Sequence, residues 1–414
     1  MFRHPLRLLL IFLLGFLMLS ACGHPSKPKL YDPAVVRFRA SYNPSLDGII
    51  YPSMVMALAN YTGPVPHPLF NVSVTAPTNN AVLRVVVDSS VLNYVTILQE
   101  VLPRKGSTYS FEPLVKWKFD KLYSLRQPGA VDFTFTCYIN DEEVDVENLR
   151  LNFRNVNECP LSLMDTSGRV EDYRWLFAAY VNEDHPYIDS ILHDILRQGI
   201  ITTFTGYQQG IKEVQRQVLA IWHYALCRGI TYSSISCTSN PSRRANAQHI
   251  RFFDEVYLSR QANCIDACVF FASIMRKIGL HPVILLEPCH AYLGYYTDRN
   301  NRKLALLETT CTAWVNYLAL DASVDVATGI ASDKELAKLK KFLPASRIQQ
   351  YHDGQVTLDQ LKREVSSSLF KAASDYDLEQ YNVNRALFAD TTQHGYQILD
   401  VEQLRTVVQP IMRP

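Results

Sequence analysis

The sequence predicts an α+β fold, an N-terminal β-sandwich followed by a domain of helices plus antiparallel sheet, and three observations carry that prediction. Over residues 31–163 apolar side chains recur with period two, as in Phe70, Val72 and Val74, the run 82–87, and Phe133, Phe135, Cys137 and Ile139. After "ECPLSLMDTSGR" the period lengthens to that of a helix. Strand patterns then return in "GLHPVILL", "HAYLGYY" and "KLALLETT". With 414 residues and 48% hydrophobic composition, the chain can bury more than one core.

The N-terminus opens with a short basic region, "MFRHPLR", and a twelve-residue apolar run, "LLLIFLLGFLML", short for a bilayer span and the right length for a signal peptide. The run ends in "LSAC", which resembles a bacterial lipobox. That resemblance implies removal of residues 1–21 and lipidation of Cys22, whose acyl chains contribute about 0.8 kcal/mol per buried methylene to membrane anchoring. An ordinary signal peptide with a chance cysteine is the plainer alternative. Residues 22–30 read as a polar tether. Gly23 after the lipidated cysteine, rather than Asp, is compatible with outer-membrane sorting in lipoprotein families, so the expected location is that of an exported, membrane-anchored lipoprotein facing the periplasm or the cell surface.

Turn signals "APTNN", "RKGS", "RQPG" and "INDEE" separate the strand runs of residues 31–163, which read as a β-sandwich serving as spacer or binding module. Residues 164–414 form the second domain. In "IKEVQRQVLAIWHYALCRGI", Val214, Val218, Ile221, Trp222 and Ala225 fall on one helix face, and Gly229 can supply a left-handed cap. Residues 321–387 read as a polar helical insertion in which Thr357 and Gln360 make a capping box.

Charge excludes little: 41 basic against 40 acidic residues leaves a formal +1, no electrostatic reason to expect nucleic acid. Past Cys22 stand Cys137, Cys159, Cys227, Cys237, Cys264, Cys268, Cys289 and Cys311, and an exported chain can pair some of them, in a connectivity that spacing does not reveal. No CxxC or closely spaced histidine pair is present, and His185 and His193 sit eight apart, so neither a metal site nor a cofactor is expected.

The most specific stretch is "QANCIDACVFFASIMRKIG" at residues 261–279. Its apolar spacing and Gly279 predict a helix ending at Ile278, and Asn263 is a good N-cap, which places Cys264 in the first turn. Unpaired N–H groups and the positive end of the helix dipole favour a thiolate there. Cys268, one turn further in beside Phe271 and Ala272, reads as a core residue. A thiolate needs an imidazole partner, and His290 at the start of a strand can face the helix terminus. Of two carboxylates that could orient the imidazole, Asp298 lies in the turn, roughly 26 Å along an extended strand. If the hairpin turns near Asn300, His290 lies about opposite Thr310, and Glu308 becomes its diagonal neighbour on the same face.

The order Cys264, His290, Glu308 resembles the core of the transglutaminase-like branch of the papain-type fold. Closest in pattern are bacterial transglutaminase-like proteins, matched here by "QHIR", "NCIDACVFFASIMRKIGLHP", "HAYLG", "LETT" and the C-terminal "GYQILDVEQLRTVVQPI", over about residues 205–320 and 395–411. The resemblance implies Cys264 as nucleophile, His290 as base and later acid, Glu308 as orienter and Gln248 as oxyanion candidate. Many relatives have Asp where Glu308 stands, Trp where Tyr292 stands, and Gly at the positions of Asn263 and Cys289. Cys289 could pair with another cysteine or respond to oxidation.

Two functions follow as expectations. One is a membrane-anchored thiol acyl-transfer enzyme acting on a protein or peptide substrate, its acyl-enzyme resolved by water or by an amine, with hydrolysis favoured because water is everywhere. The other is a catalytically silent surface lipoprotein that binds protein or glycan. Oligomeric state is not legible.

Overall fold

The computed structural model describes residues 31–61, 68–234, 238–239, 242–315 and 330–412. The expected signal peptide, Cys22, the tether, Cys237 and residues 321–329 of the insertion lie outside the described residues. Among the described residues no helix is long and apolar enough to cross a membrane.

The chain is α+β. Its first part packs a five-stranded sheet, in the order β2 (Ile49–Ile50), β8 (Glu142–Phe153), β7 (Gly129–Ile139), β4 (Ala81–Val87) and β5 (Thr96–Leu102), on a three-stranded one of β1 (Arg39–Tyr42), β3 (Phe70–Thr75) and β6 (Thr108–Phe111). The period-two residues meet between the sheets: the Phe70 ring lies 4.8 Å from that of Phe133 and 5.2 Å from that of Phe135. This is the face-to-face burial that alternation requires.

The second part contains a four-stranded sheet of β10 (Val170–Asp172), β9 (Glu158–Met164), β13 (Ala245–His249) and β12 (Thr238–Ser239), and a parallel pair of β11 (Thr231–Tyr232) with β14 (Gln261–Ala262). It also contains an antiparallel sheet in the order β17 (Leu304–Leu307), β16 (His290–Tyr296), β15 (Pro282–Glu287) and β18 (Gln397–Asp400). Here the sequence boundary shifts. β9, assigned from sequence to the sandwich, pairs along its length with β13, so the sandwich ends at β8. A period of two marks a strand but carries no information about its partner.

The α-helices of the second part are, among the described residues, α1 (Tyr187–Arg197), α2 (Ile211–Arg228), α3 (Phe253–Ser259), α4 (Cys264–Lys277), α5 (Asp333–Leu339), α6 (Ala345–His352), α7 (Leu358–Ala389) and α8 (Val401–Leu404). The antiparallel sheet has apolar packing on both faces. Val283, Leu285, Tyr292 and Leu306 meet Tyr381 and Phe388 of α7, while Ile284, Leu286 and Leu293 belong to the main core that includes α4. Burial on both faces explains why β15 reads as an unbroken apolar run. At the chain's end, Gln409 donates its backbone N–H to Ala57 O at 2.9 Å and Ile411 donates to Ala179 O at 2.8 Å, tying the C-terminus to both parts.

Candidate active site

The start of α4 is held by a closed set of hydrogen bonds. Asn263 caps it, its Oδ1 accepting from Asp266 N at 2.9 Å, while Asp266 Oδ2 accepts from Asn263 N at 3.0 Å. Asp266 is fully buried, and its two oxygens also accept from Arg251 N and Arg251 Nη1, both at 2.8 Å. Burial pushes its carboxyl up, against the pull of these donors. Cys264 is thereby fixed as the first helical residue, half-buried, at the positive end of the helix dipole. Sequence reasoning found the Asn263 cap but gave Asp266 and Arg251 no role. The signal was present as Asn-x-x-Asp, a capping box with a shortened acid.

His290 opens β16 directly after a two-residue turn, Pro288–Cys289. Cys289 has φ +64°, the left-handed region that favours glycine, and its side chain is exposed. His290 Nε2 meets Glu308 Oε2 at 2.7 Å, and the Cys264 thiol lies close enough to act on the ring. Burial opposes a charge on the ring, but Cys264 and Glu308 outweigh it and raise the His290 pKa to about 10. The imidazole also stacks on Tyr292, 6.0 Å between centroids.

Glu308 follows the last residue of β17 and is 3% exposed. The β16–β17 register, Leu293 opposite Leu307 through Tyr296 opposite Leu304, centres the hairpin on residue 300. The ladder stops at Leu307, so Glu308 reaches His290 from a chain already entering the 3-10 turn Thr309–Val315. Its Oε1 accepts from Thr310 N at 2.9 Å and Thr310 Oγ1 at 2.7 Å. Burial would raise its pKa, yet His290 and the Thr310 donors hold it below the usual carboxylate range. Asp298, the discarded alternative, caps the hairpin turn by accepting from the backbone of Asn300 and Lys303.

Cys268 is fully buried, its sulfur 3.8 Å from Thr309 Oγ1, and burial lifts its thiol pKa well above the usual range. Gln248 lies half-buried on β13, its Nε2 donating to His249 O at 3.2 Å. Tyr232 of β11 stands close enough to Cys264 and Glu308 that their charge adds to burial in raising its pKa.

No protein-family model matches the chain, and no curated protein matches it either. Its chemistry is read from the site.

One residue at the site had no sequence signal pointing to it. Asp377 of α7 is 1% exposed beside Glu308, and no donor faces its Oδ2 among the described residues. Burial, then the charge on Glu308, raises its pKa to about 9, so at neutral pH it is a carboxylic acid. A thiol beside an imidazole that is hydrogen-bonded to a carboxylate forms the set that nucleophilic acyl transfer requires, and the neutral acid behind them leaves Glu308 as the anion.

Proposed function

We propose that the protein is a thiol acyl-transfer enzyme that hydrolyses, or transamidates, a peptide or isopeptide amide through Cys264, His290 and Glu308. The observation that carries this reading is the His290–Glu308 pair, hydrogen-bonded at 2.7 Å, beside a Cys264 that opens a helix and acts on the His290 ring. The resemblance to the transglutaminase-like branch of the papain-type fold supports the same roles, and the lipobox-like "LSAC" at Cys22 supports a membrane-anchored enzyme.

The thiol proton rests on His290 as sulfur attacks the amide carbonyl carbon. The backbone N–H of Cys264, with Gln248 as candidate second donor, stabilises the oxyanion. Collapse breaks the C–N bond, and the proton on His290 passes to the leaving amine. Water then adds to the thioester, giving its proton to His290. Rupture of the C–S bond releases the acid and restores the thiolate. An amine in place of water yields a new amide.

Site-resolved alkylation of the full chain with limiting iodoacetamide tests this. Cys264 is expected to react ahead of the exposed Cys289 at mildly acidic pH, and His290→Ala to abolish that lead. A Cys264 that is inert, or no faster than Cys289 in both proteins, transfers support to the silent binding lipoprotein.

A further inference from the structure

A cavity of about 350 Å³ lies between α1, α2 and α7. Its wall carries four cationic side chains, Arg197, Arg228, Lys362 and Arg363, against two carboxylates, Asp194 and Asp359. Asp194 is engaged with Arg197 at the exposed rim. Arg228, Lys362 and Arg363 make no ion pair among the described residues, although Asp359 shares their wall and the Arg228 guanidinium lies over the Tyr257 ring at 4.6 Å. Lys362 is 7% exposed and makes no hydrogen bond or ion pair among the described residues. The Nε atoms of Arg228 and Arg363 are buried without an acceptor. The Arg363 guanidinium lies over Gly199, 3.3 Å from where a side chain there would begin, and the φ of +70° at Gly199 favours glycine in its own right. His223 reports the local field. Burial first, then the positive charges of Arg363 and Lys362, lower its pKa to about 4, leaving a neutral ring bonded to Ser366 Oγ at 2.7 Å.

Partly buried cations that outnumber the carboxylates beside them, here four against two, are stabilised by a ligand that supplies the missing counter-charge. Three unpaired cations facing one cavity suit an oxyanion carrying two charges and several acceptor oxygens. We propose that this cavity is a binding site for a phosphate group, borne by a small phosphomonoester or by a lipid head group. The volume sits at the small end of ligand cavities, room for a phosphate with a short attached group. The site is separate from Cys264 and holds whether or not that thiol is catalytic.

Calorimetric titration of the full chain with inorganic phosphate, at ionic strength matched with chloride, is the test. Phosphate is expected to bind and to raise the thermal midpoint where chloride does not. Lys362→Met, an apolar replacement expected to fold, should weaken binding about tenfold or more. Arg363→Gln supplies a second reading should Lys362→Met fail to fold. Sedimentation with phosphatidylcholine vesicles containing phosphatidic acid separates the sources: Lys362-dependent capture assigns a lipid head group, and phosphate binding without capture assigns a soluble monoester. No phosphate-specific heat and no thermal shift, or equal binding by wild type and both variants, overturns the proposal.

Discussion

At the scale of single residues, the site's titrating groups set a pH dependence of defined sign. His290 holds its proton to about 10 in the folded chain against an ordinary value of 6.5, so the stability it contributes is complete below the lower figure and fades towards the upper. Asp377 acts in the same direction. Its folded value of about 9 lies far above the ordinary 3.8, so the native state holds an extra proton between the two, and stability falls as pH rises, by at most about 1.4 kcal/mol per pH unit. Asp377→Asn should remove that slope, since the amide does not titrate. Urea unfolding at pH 6 and pH 9 checks this: the stability of the variant relative to wild type should rise towards pH 9, and a pH-independent difference would sink the protonated Asp377. Cys289 gives a simpler case. Its left-handed backbone makes Cys289→Gly stabilising by about 0.5–1 kcal/mol, the relief of strain less the added chain entropy, readable as a shift in urea midpoint.

At the scale of elements, α4 depends on what holds its first turn. Asp266→Ala removes three accepted hydrogen bonds and leaves Arg251, 15% exposed, without its carboxylate. The expected cost is about 3 kcal/mol, together with loss of the alkylation lead of Cys264 because the helix start frays. Intact reactivity in a destabilised Asp266→Ala would separate the cap from the chemistry. Much of this element was legible. Asn263 as cap, the end at Ile278 before Gly279, and the Thr357–Gln360 box on α7 are local signals, and all are present in the structure. The hairpin centred on residue 300 was legible too, because a turn and a period of two suffice to set register. What α7 covers was not legible. Its pattern shows that it has an apolar face, but Ala373 accepting from Glu308 N, Asp377 beside Glu308, and Asn384 donating to Glu287 all join it to strands more than sixty residues earlier.

At the scale of the molecule, the two parts share a seam. β9 belongs to the second part's sheet, Ser53 Oγ donates to Glu158 O at 2.6 Å, Arg126 pairs with Glu255 at 2.8 Å, and one apolar core runs through both. A fragment starting at residue 165 therefore strips β13 of its neighbour. It is expected to lose cooperative melting by circular dichroism, whereas a fragment starting at residue 155 keeps β9 and should retain more of it; equal melting of the two would show that β9 is dispensable. The sequence by itself determined the α+β class, the strands of the hairpin centred on residue 300, the helices α2 and α4, the caps at Asn263 and Thr357, and the three side chains, Cys264, His290 and Glu308, that the structure brings together. These rest on periodicity and on short-range hydrogen bonding, which act within a few residues. Only the tertiary structure decided that β9 crosses to the second part, that Asp266 and Arg251 lock the start of the helix that Cys264 opens, that Asp377 is buried as a neutral acid beside Glu308, and that four cations line one cavity against two carboxylates. Each depends on groups distant in the chain meeting in a medium of low polarity, where burial changes the cost of a charge, and no local pattern encodes who the partner will be.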